Sequence, residues 1–291
     1  MTVNIPTKKL ENGFSMSVFG LGTWQMGGKR ERDINNNDSA DIEAIKMAIN
    51  NGITHIDTAE MYAQGYSEIL VGQAITEFKR ESLFIVSKVY PDHLKYQDLI
   101  DSAKNSLKRL NTPYLDLYLI HAPNPEIPIK ETMRAMDFLV DQGLVRYIGV
   151  SNFTKERMAE AQKFTKNKIV ANQVHFNLQI REAQRTGLVE YCQKNDVMLI
   201  AWRPIQKGVL LEEKNELMEQ MCQKYQKTPA QIAINWLISQ KNVVTLSKMG
   251  NYDHLVENLG ALNWEMDPKD VEKLDKDYPN QQDISDTVSL T

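Results

Sequence analysis

Only two cysteines occur in 291 residues, Cys192 and Cys222. Both lie in polar, helical-looking stretches and form no metal or redox motif. That excludes a disulfide scaffold and suits a reducing cytoplasm. No stretch reaches the roughly 18 consecutive apolar residues of a spanning helix. The first ten residues hold no apolar segment of the kind a secretory signal needs. Neither sign of charge dominates: 34 Lys and Arg stand against 38 Asp and Glu, a formal net charge of -4. This balance argues against nucleic acid and membrane surfaces as partners. Apolar residues are not scarce. A chain that is 42% hydrophobic and 25% charged can bury a sizeable core and is not disordered. Its length suits either two ordinary domains or one α/β barrel, which fills roughly 250 residues as a unit.

What is present is a repeat. A short apolar run ends in polar or aromatic residues, and a helical pattern follows. The runs are Val18–Leu21, Ile53–Ile56, Leu83–Val86, Leu115–Ile120, Val145–Val150, Ile169–Asn172, Val197–Ala201 and Val243–Leu246. From the second to the seventh they start about 24 to 32 residues apart, the length of one strand–helix unit. The intervening segments carry helix signals. Asp38 can cap a stripe of Ile42, Ile45 and Ile49 that Asn51-Gly52 stops. Leu99, Ala103, Leu107 and Leu110 form a second stripe, and Met133, Met136 and Val140 a third that ends at Gly143. Thr228-Pro229-Ala230-Gln231 joins a cap, a first-position proline and a capping-box glutamine, and Asp267-Pro268 opens a last helix in the same way.

Eight such units build either a doubly wound open sheet or a closed (β/α)8 TIM barrel. The open sheet calls for a G-x-G-x-x-G fingerprint after a strand, and the glycines at 20, 22, 27 and 28 do not have that spacing. A continuous array without a linker favours the barrel, with residues 1–291 as one domain and its core at about 17–275. Glu11-Asn12-Gly13 predicts an N-terminal β-hairpin that closes the barrel bottom. The wide gap before the eighth strand leaves room for an extra helix around Glu212 to Lys224. The polar tail 278–291 reads as loosely ordered.

Active sites of such barrels sit at the carboxyl ends of the strands. The residues just past the runs are Gly22, Thr23 and Trp24; Asp57, with Tyr62 five positions on; Ser87 and Lys88; His121; Ser151 and Asn152; Gln173; Trp202; and Ser247 and Lys248. Four of these form a working set. A tyrosine, ordinarily near pKa 10, must be lowered by about 2–3 units to give up a proton near neutrality. Lys88 supplies a cation to do this for Tyr62, and Asp57 a partner for a buried ammonium. His121 can hydrogen-bond a substrate oxygen beside the phenol. The set suits protonation of an oxyanion forming at a carbonyl. It holds no base beside a Ser or Cys nucleophile and no ligands at metal spacing. His55 points away from the rim set by its chain position, and His93 and His175, which lie in no motif, read as core or surface residues. Lys29–Asp33, mixed in sign, is a solvated stretch of a long first loop or a lid.

These segments resemble the aldo-keto reductase superfamily. The resemblance rests on Gly20-Leu21-Gly22-Thr23-Trp24, on His55-Ile56-Asp57-Thr58-Ala59 through Tyr62, and on Ser106-Leu107-Lys108-Arg109-Leu110. It continues with Tyr114 through His121, with Gly143, Ile148-Gly149-Val150-Ser151-Asn152-Phe153, and with Glu257-Asn258, spanning about residues 8–275. It implies a TIM barrel that binds NADP(H) without a Rossmann fold and reduces aldehydes and ketones to alcohols. By resemblance Tyr62 is the general acid, Lys88 and Asp57 tune it, and His121 orients the carbonyl. Trp24 borders the substrate pocket together with Tyr62 and His121. Ser151, Asn152 and Gln173 match residues that bond the nicotinamide carboxamide. Trp202 stands where an aromatic, usually Tyr, stacks under the nicotinamide. Gly22, Thr23 and Asp57 fall in the cofactor set as well. Lys248 matches a lysine near the 2′-phosphate, and Glu257 and Asn258 an adenine-facing pair. His254 stands where many members carry Arg, and Met249 where many carry Ser or Thr. An arginine holds phosphate bidentately at all pH values and a histidine does not, so NADH stays open beside NADPH. The resemblance further implies a monomer acting on a small-molecule carbonyl. Two rivals remain at this level: a non-catalytic NADP(H)-binding regulatory barrel, and a lyase forming a Schiff base on Lys88.

Overall fold

The computed structural model describes residues 3–212 and 215–291. Two short strands, β1 (Thr7–Lys9) and β2 (Ser15–Ser17), pair antiparallel. Eight more follow: β3 (Phe19–Gly22), β4 (His55–Asp57), β5 (Phe84–Val89), β6 (Leu115–Ile120), β7 (Val145–Ser151), β8 (Ile169–His175), β9 (Met198–Trp202) and β10 (Val243–Ser247). They are parallel and close in chain order, with β10 pairing back onto β3. Each expected apolar run overlaps one of these strands. The runs read as nearly continuous hydrophobic stretches because a parallel barrel buries both strand faces, one in the barrel and one under the helices.

The inside of the barrel is filled by Val86, Leu117, Leu119, Val170, Met198, Ile200 and Val244, and the hairpin adds Leu10, Phe14 and Met16 to the same cluster. Phe14 sets its ring edge-on against Phe84 and Tyr147 at 5.9 and 5.0 Å. The hairpin therefore stoppers the amino end of the barrel, as its turn signal implied. Gly13 makes that turn at φ +90, a conformation glycine adopts without penalty.

The outer helices bury the expected stripes. Helix Tyr96–Leu110 turns Leu99, Ala103, Leu107 and Leu110 inward. Thr228 forms its capping box with Gln231, and Asp267 caps the last helix. One cap is shifted. Helix Asp38–Asn50 is capped by Asn37, whose Oδ1 accepts from Ala40 N at 3.1 Å. Asp38 instead pairs with Arg32 at 2.7 Å. The extra helix runs Glu216–Tyr225; Glu213 and Lys214, within the expected span, lie outside the described residues. No helix among the described residues is long and apolar enough to cross a membrane.

The tail departs from its expectation. It is stitched to the rim by polar contacts. Ser285 N and Leu290 N donate to the two carboxylate oxygens of Glu182, each at 3.0 Å. Gln282 N donates to Gln179 O at 2.7 Å. Thr291 N donates to Asn152 O, and Thr291 O accepts from Thr154 N. Polar composition was read as looseness, but the tail's partners are themselves buried polar groups that need it.

Candidate active site

Tyr62 opens a 3-10 turn (Tyr62–Gly65) just past β4. The turn is irregular: Ala63 and Gln64 sit in the left-handed region at φ 50 and 56. The first loop holds it there, with Ala63 N donating to Lys29 O at 2.7 Å and Gln64 N to Arg30 O at 2.9 Å. Lys29 and Arg30 thus brace the turn that carries Tyr62. Gly65 closes the turn at φ +86, where an added Cβ would sit 2.6 Å from Arg109 Nε. Left-handed non-glycine residues cost about 1 kcal/mol or more each and cluster at functional sites.

The tetrad assembles. Lys88 Nζ donates to Asp57 Oδ1 at 2.6 Å, to Thr58 O at 2.8 Å and to Tyr62 Oη at 3.2 Å. Its three N–H groups have three acceptors. The other carboxylate oxygen of Asp57 accepts from Gln173 Nε2 at 2.8 Å. Lys88 is 0%, Asp57 1% and Tyr62 9% exposed. The Tyr62 ring meets His121 edge-on at 5.7 Å and Trp24 at 5.0 Å, so the phenol lies between an imidazole and an indole.

The electrostatics correct one expectation. Burial pushes the Tyr62 pKa up, the Lys88 charge pulls it down, and burial wins, so the net shift is upward. The resting phenol keeps its proton throughout the physiological range. The Lys88 charge therefore does not ionise the tyrosine in advance. Burial lowers Lys88 itself, but Asp57 and then Tyr62 more than offset this and its pKa rises, which keeps the ammonium charged. Burial, with the Lys88 and Arg30 charges behind it, lowers His121 to about 3. His121 is a neutral imidazole, a hydrogen-bond donor and not a cation.

His121 shares this depression with two other histidines, and the sign of the consequence is fixed. Burial lowers His55 and His175 to about 4 each. All three lie below the unfolded value of 6.5, so between about 4 and 6.5 the unfolded chain binds protons that the folded chain refuses. Stability contributed by these groups is present above pH 6.5 and is lost as pH falls toward 4. Glu68, raised by burial, works in the opposite direction but is one group against three. Denaturant unfolding at pH 7 and pH 5 is expected to show a loss on the order of several kcal/mol at the lower pH, at about 1.4 kcal/mol per pKa unit. Equal midpoints would mean the imidazoles are not buried neutral.

His55 also corrects the reading of its direction. The two-residue period of a strand puts it on the same face of β4 as Asp57. It lies one pleat deeper, packed against Gly20 and edge-on to Phe84. It is off the rim because of depth, not direction.

The carboxamide group of residues converges beside the tetrad. Ser151 and Gln173 are register partners in β7 and β8, and Ser151 Oγ donates to Gln173 O at 2.8 Å. Asn152, at φ 61, donates from Nδ2 to His121 O at 3.0 Å and to Ser151 Oγ at 3.1 Å. Its Oδ1 is buried with no partner. Thr23 is on the rim but committed: its hydroxyl donates to Asp57 O at 3.0 Å and accepts from Ser67 at 2.9 Å. Gly22 is a close approach, since a Cβ there would lie 2.9 Å from Leu246 Cδ1. Trp202 ends β9, half-buried. Lys248 is exposed, with Nζ 3.5 Å from Gln25 O. His254, Glu257 and Asn258 follow on helix Tyr252–Leu259, respectively exposed, half-buried and buried. No contact joins these last four to the tetrad; they extend the rim outward past β10.

The sequence model of the Aldo/keto reductase family matches residues 18–278. The chain belongs to the aldo/keto reductase family. The glyoxal reductase of Bacillus subtilis (strain 168) is 36% identical to it over 271 residues, 92% of this chain and 91% of that protein. A thermostable aldo-keto reductase, Tm1743, solved in complex with the inhibitor epalrestat, is similar with a TM-score of 0.90 at 45% identity, covering 93% of this chain and 99% of its own. An aldo-keto reductase from Klebsiella pneumoniae, solved in complex with NADPH, gives a TM-score of 0.84 at 33% identity over 96% of this chain and 97% of its own.

A nicotinamide fits this member of the family. The unpartnered Asn152 Oδ1 is a buried acceptor on a residue whose Nδ2 bonds His121 O and Ser151 Oγ, and burying it unsatisfied costs roughly 1–3 kcal/mol. A carboxamide N–H is the donor it lacks. Sequence alone gives no site role to two residues near this position, one of them His175, which reads there as a core or surface histidine. His175 lies flat on Trp202, ring centroids 4.0 Å apart and planes 12° from parallel. It is two positions after Gln173 on one strand, and that period-2 spacing was the available signal. Arg203 follows Trp202 at φ 58, with its Cζ 5.0 Å from the indole centroid and Nη1 donating to Thr287 Oγ1. Nothing in the local pattern marks it.

Proposed function

We propose that this chain, acting as a single barrel domain, is an NADPH-dependent carbonyl reductase that turns small aldehydes and ketones into alcohols. The observation that carries the reading is the Tyr62–Lys88–Asp57 chain, a protonated phenol bonded to a permanently charged, fully partnered ammonium. The family and the relatives that carry the names glyoxal reductase and NADPH-bound aldo-keto reductase support it, and glyoxal is the first substrate to try.

When bound, NADPH supplies hydride to the carbonyl carbon. The chain's residues handle the oxygen and its proton. Neutral His121 donates a hydrogen bond to the carbonyl oxygen beside Tyr62. Tyr62 Oη gives that oxygen its proton as negative charge builds there. The phenolate left behind sits 3.2 Å from Lys88 Nζ, and Asp57, fixed from its other side by Gln173, keeps the ammonium in place. Such preorganised charge costs no reorganisation at the moment of reaction. Ser151, Asn152 and Gln173 hold the carboxamide, Trp202 supports the ring, Trp24 borders the substrate, and Lys248, His254, Glu257 and Asn258 meet the adenosine end. An assembled tetrad favours catalysis over a purely regulatory barrel. An ammonium with all three N–H groups committed is a poor Schiff-base amine, since that chemistry starts from a free amine. The unpaired thiols Cys192 and Cys222 support a cytoplasmic setting, and we read the chain as a monomer.

Titration of tryptophan fluorescence with NADPH and with NADH tests the cofactor half. Quenching by both is expected, stronger for NADPH because Lys248 meets a phosphate that NADH lacks, but by less than an arginine at position 254 would give. Replacing His254 with Arg should widen the preference for NADPH about tenfold. Equal responses to the two nucleotides before and after that change would remove Lys248 and His254 from the 2′-phosphate site.

A further inference from the structure

His175 and Trp202 are register neighbours across β8 and β9, and their rings are stacked. A histidine in contact with an indole needs partners for two nitrogens, and both are supplied. Gln206 Nε2 donates to Asp286 Oδ2 at 3.1 Å, which turns its Oε1 toward the imidazole. His175 Nε2 then donates to Gln206 Oε1 at 2.8 Å. Nδ1, left as the acceptor, takes the Ser285 hydroxyl proton at 2.8 Å. Ser285 Oγ is itself fixed, accepting from Thr287 N at 3.2 Å and Val288 N at 3.1 Å. Asn177 Nδ2 adds a second donor to Gln206 Oε1 at 3.0 Å. The imidazole is 3% exposed, and every side of it is tied to β8, to the loop after β9, or to the tail.

We propose that His175 is a positioning residue, a bracket that ties the C-terminal tail to the back of Trp202 and fixes the plane of the indole on which the nicotinamide stacks. The inference rests on the cofactor reading above. His175 takes one face of the indole, and Arg203 Cζ lies over the ring 5.0 Å from its centroid, so a nicotinamide stacks on the face away from His175, where the end of Arg203 moves aside for it. An apolar residue at 175 could fill the space but could not be oriented, because it has neither a donor for Gln206 Oε1 nor an acceptor for the Ser285 hydroxyl. The tail, whose polar composition resembles a loose end, thereby becomes part of the cofactor floor: its Ser285 hydroxyl sets the imidazole, and the imidazole sets the indole.

The test compares the parent, His175→Leu, Ser285→Ala and each of these combined with Trp202→Phe. The near-UV circular dichroism attributable to Trp202 is read, without nucleotide, as the difference between each protein and its Trp202→Phe counterpart. The NADPH dissociation constant is then measured from fluorescence quenching. The expected result is that His175→Leu loses most of the Trp202 band and binds NADPH about five- to tenfold more weakly, the range of a lost aromatic contact. Ser285→Ala, which leaves the stack but cuts the tail's tie, should lose part of the band and weaken binding about two- to threefold. Far-UV spectra should be unchanged. If His175→Leu does not fold, Ser285→Ala decides alone. An unchanged Trp202 band and dissociation constant in the variants overturns the proposal. So does tighter binding in His175→Leu, which would put His175 on the face the nicotinamide needs. Failure of the cofactor reading looks different: the parent itself would show no quenching by NADPH.

Discussion

Tyr62→Phe is expected to bind NADPH within about threefold of the parent and to lose roughly a thousandfold in kcat, within the range a general acid contributes. The substitution removes one oxygen and one proton. The ring keeps its edge contacts with Trp24 and His121, so the pocket keeps its shape. The Lys88 ammonium loses one of three acceptors but keeps Asp57 and Thr58 O. What disappears is a side-chain proton donor that is both held by a cation and flanked by the neutral imidazole. The expected pattern is therefore a kcat defect with a small change in stability, read by stopped-flow NADPH consumption and thermal unfolding. A kcat within a few-fold of the parent would transfer the proton to another group.

Lys88→Met is expected to act on both activity and stability. Removal of the ammonium leaves a carboxylate 1% exposed with Gln173 as its remaining side-chain partner. Breaking a buried pair in this way typically costs about 3–5 kcal/mol. The phenolate forming on Tyr62 loses the charge 3.2 Å away, for which about 10²–10³ in kcat is a reasonable loss. Asp57→Asn combined with Lys88→Met should regain most of the stability, because no buried charge is left, and none of the rate. Denaturant unfolding with single-turnover kinetics separates the two. If the single change costs rate but no stability, the pair is not buried as described; if the double change restores rate, Lys88 is only a structural partner.

The barrel was legible because its strands are buried on both faces, which turns each of them into a nearly continuous apolar run ending in a polar or aromatic residue. Reading one or two residues past each run found Asp57, Lys88, His121, Ser151 and Gln173. Tyr62, five positions past Asp57, was found as the phenol that Lys88 could serve, and resemblance added the role of general acid; its turn, held left-handed by the backbone of Lys29 and Arg30, lies outside any periodicity. The depth at which a group sits is not a local property, so the sequence suggested a tyrosine acidified by its lysine where burial in fact outweighs the cation. The same holds for His55, whose face follows from strand period but whose depth does not. The Asn37 cap displaced Asp38 because adjacent residues of nearly equal capping strength differ only in which is freed by Arg32 and Tyr66, both of which bond Asp38. The tail was misjudged for a related reason. Its partners Glu182, His175 and Arg203 are about 80 to 110 residues away in sequence, and no local pattern announces them.

The central step is one transfer: hydride from the nicotinamide to a carbonyl carbon at this rim, with the proton delivered separately by the protein. Reduction of glyoxal with NADPH deuterated at the nicotinamide C4 position that donates, in ordinary water, measures it. One deuterium on the carbinol carbon for each NADPH consumed, and none on the oxygen after exchange, is the expected product. A carbinol carrying only protium, or NADPH left unconsumed while glyoxal disappears, would contradict the account.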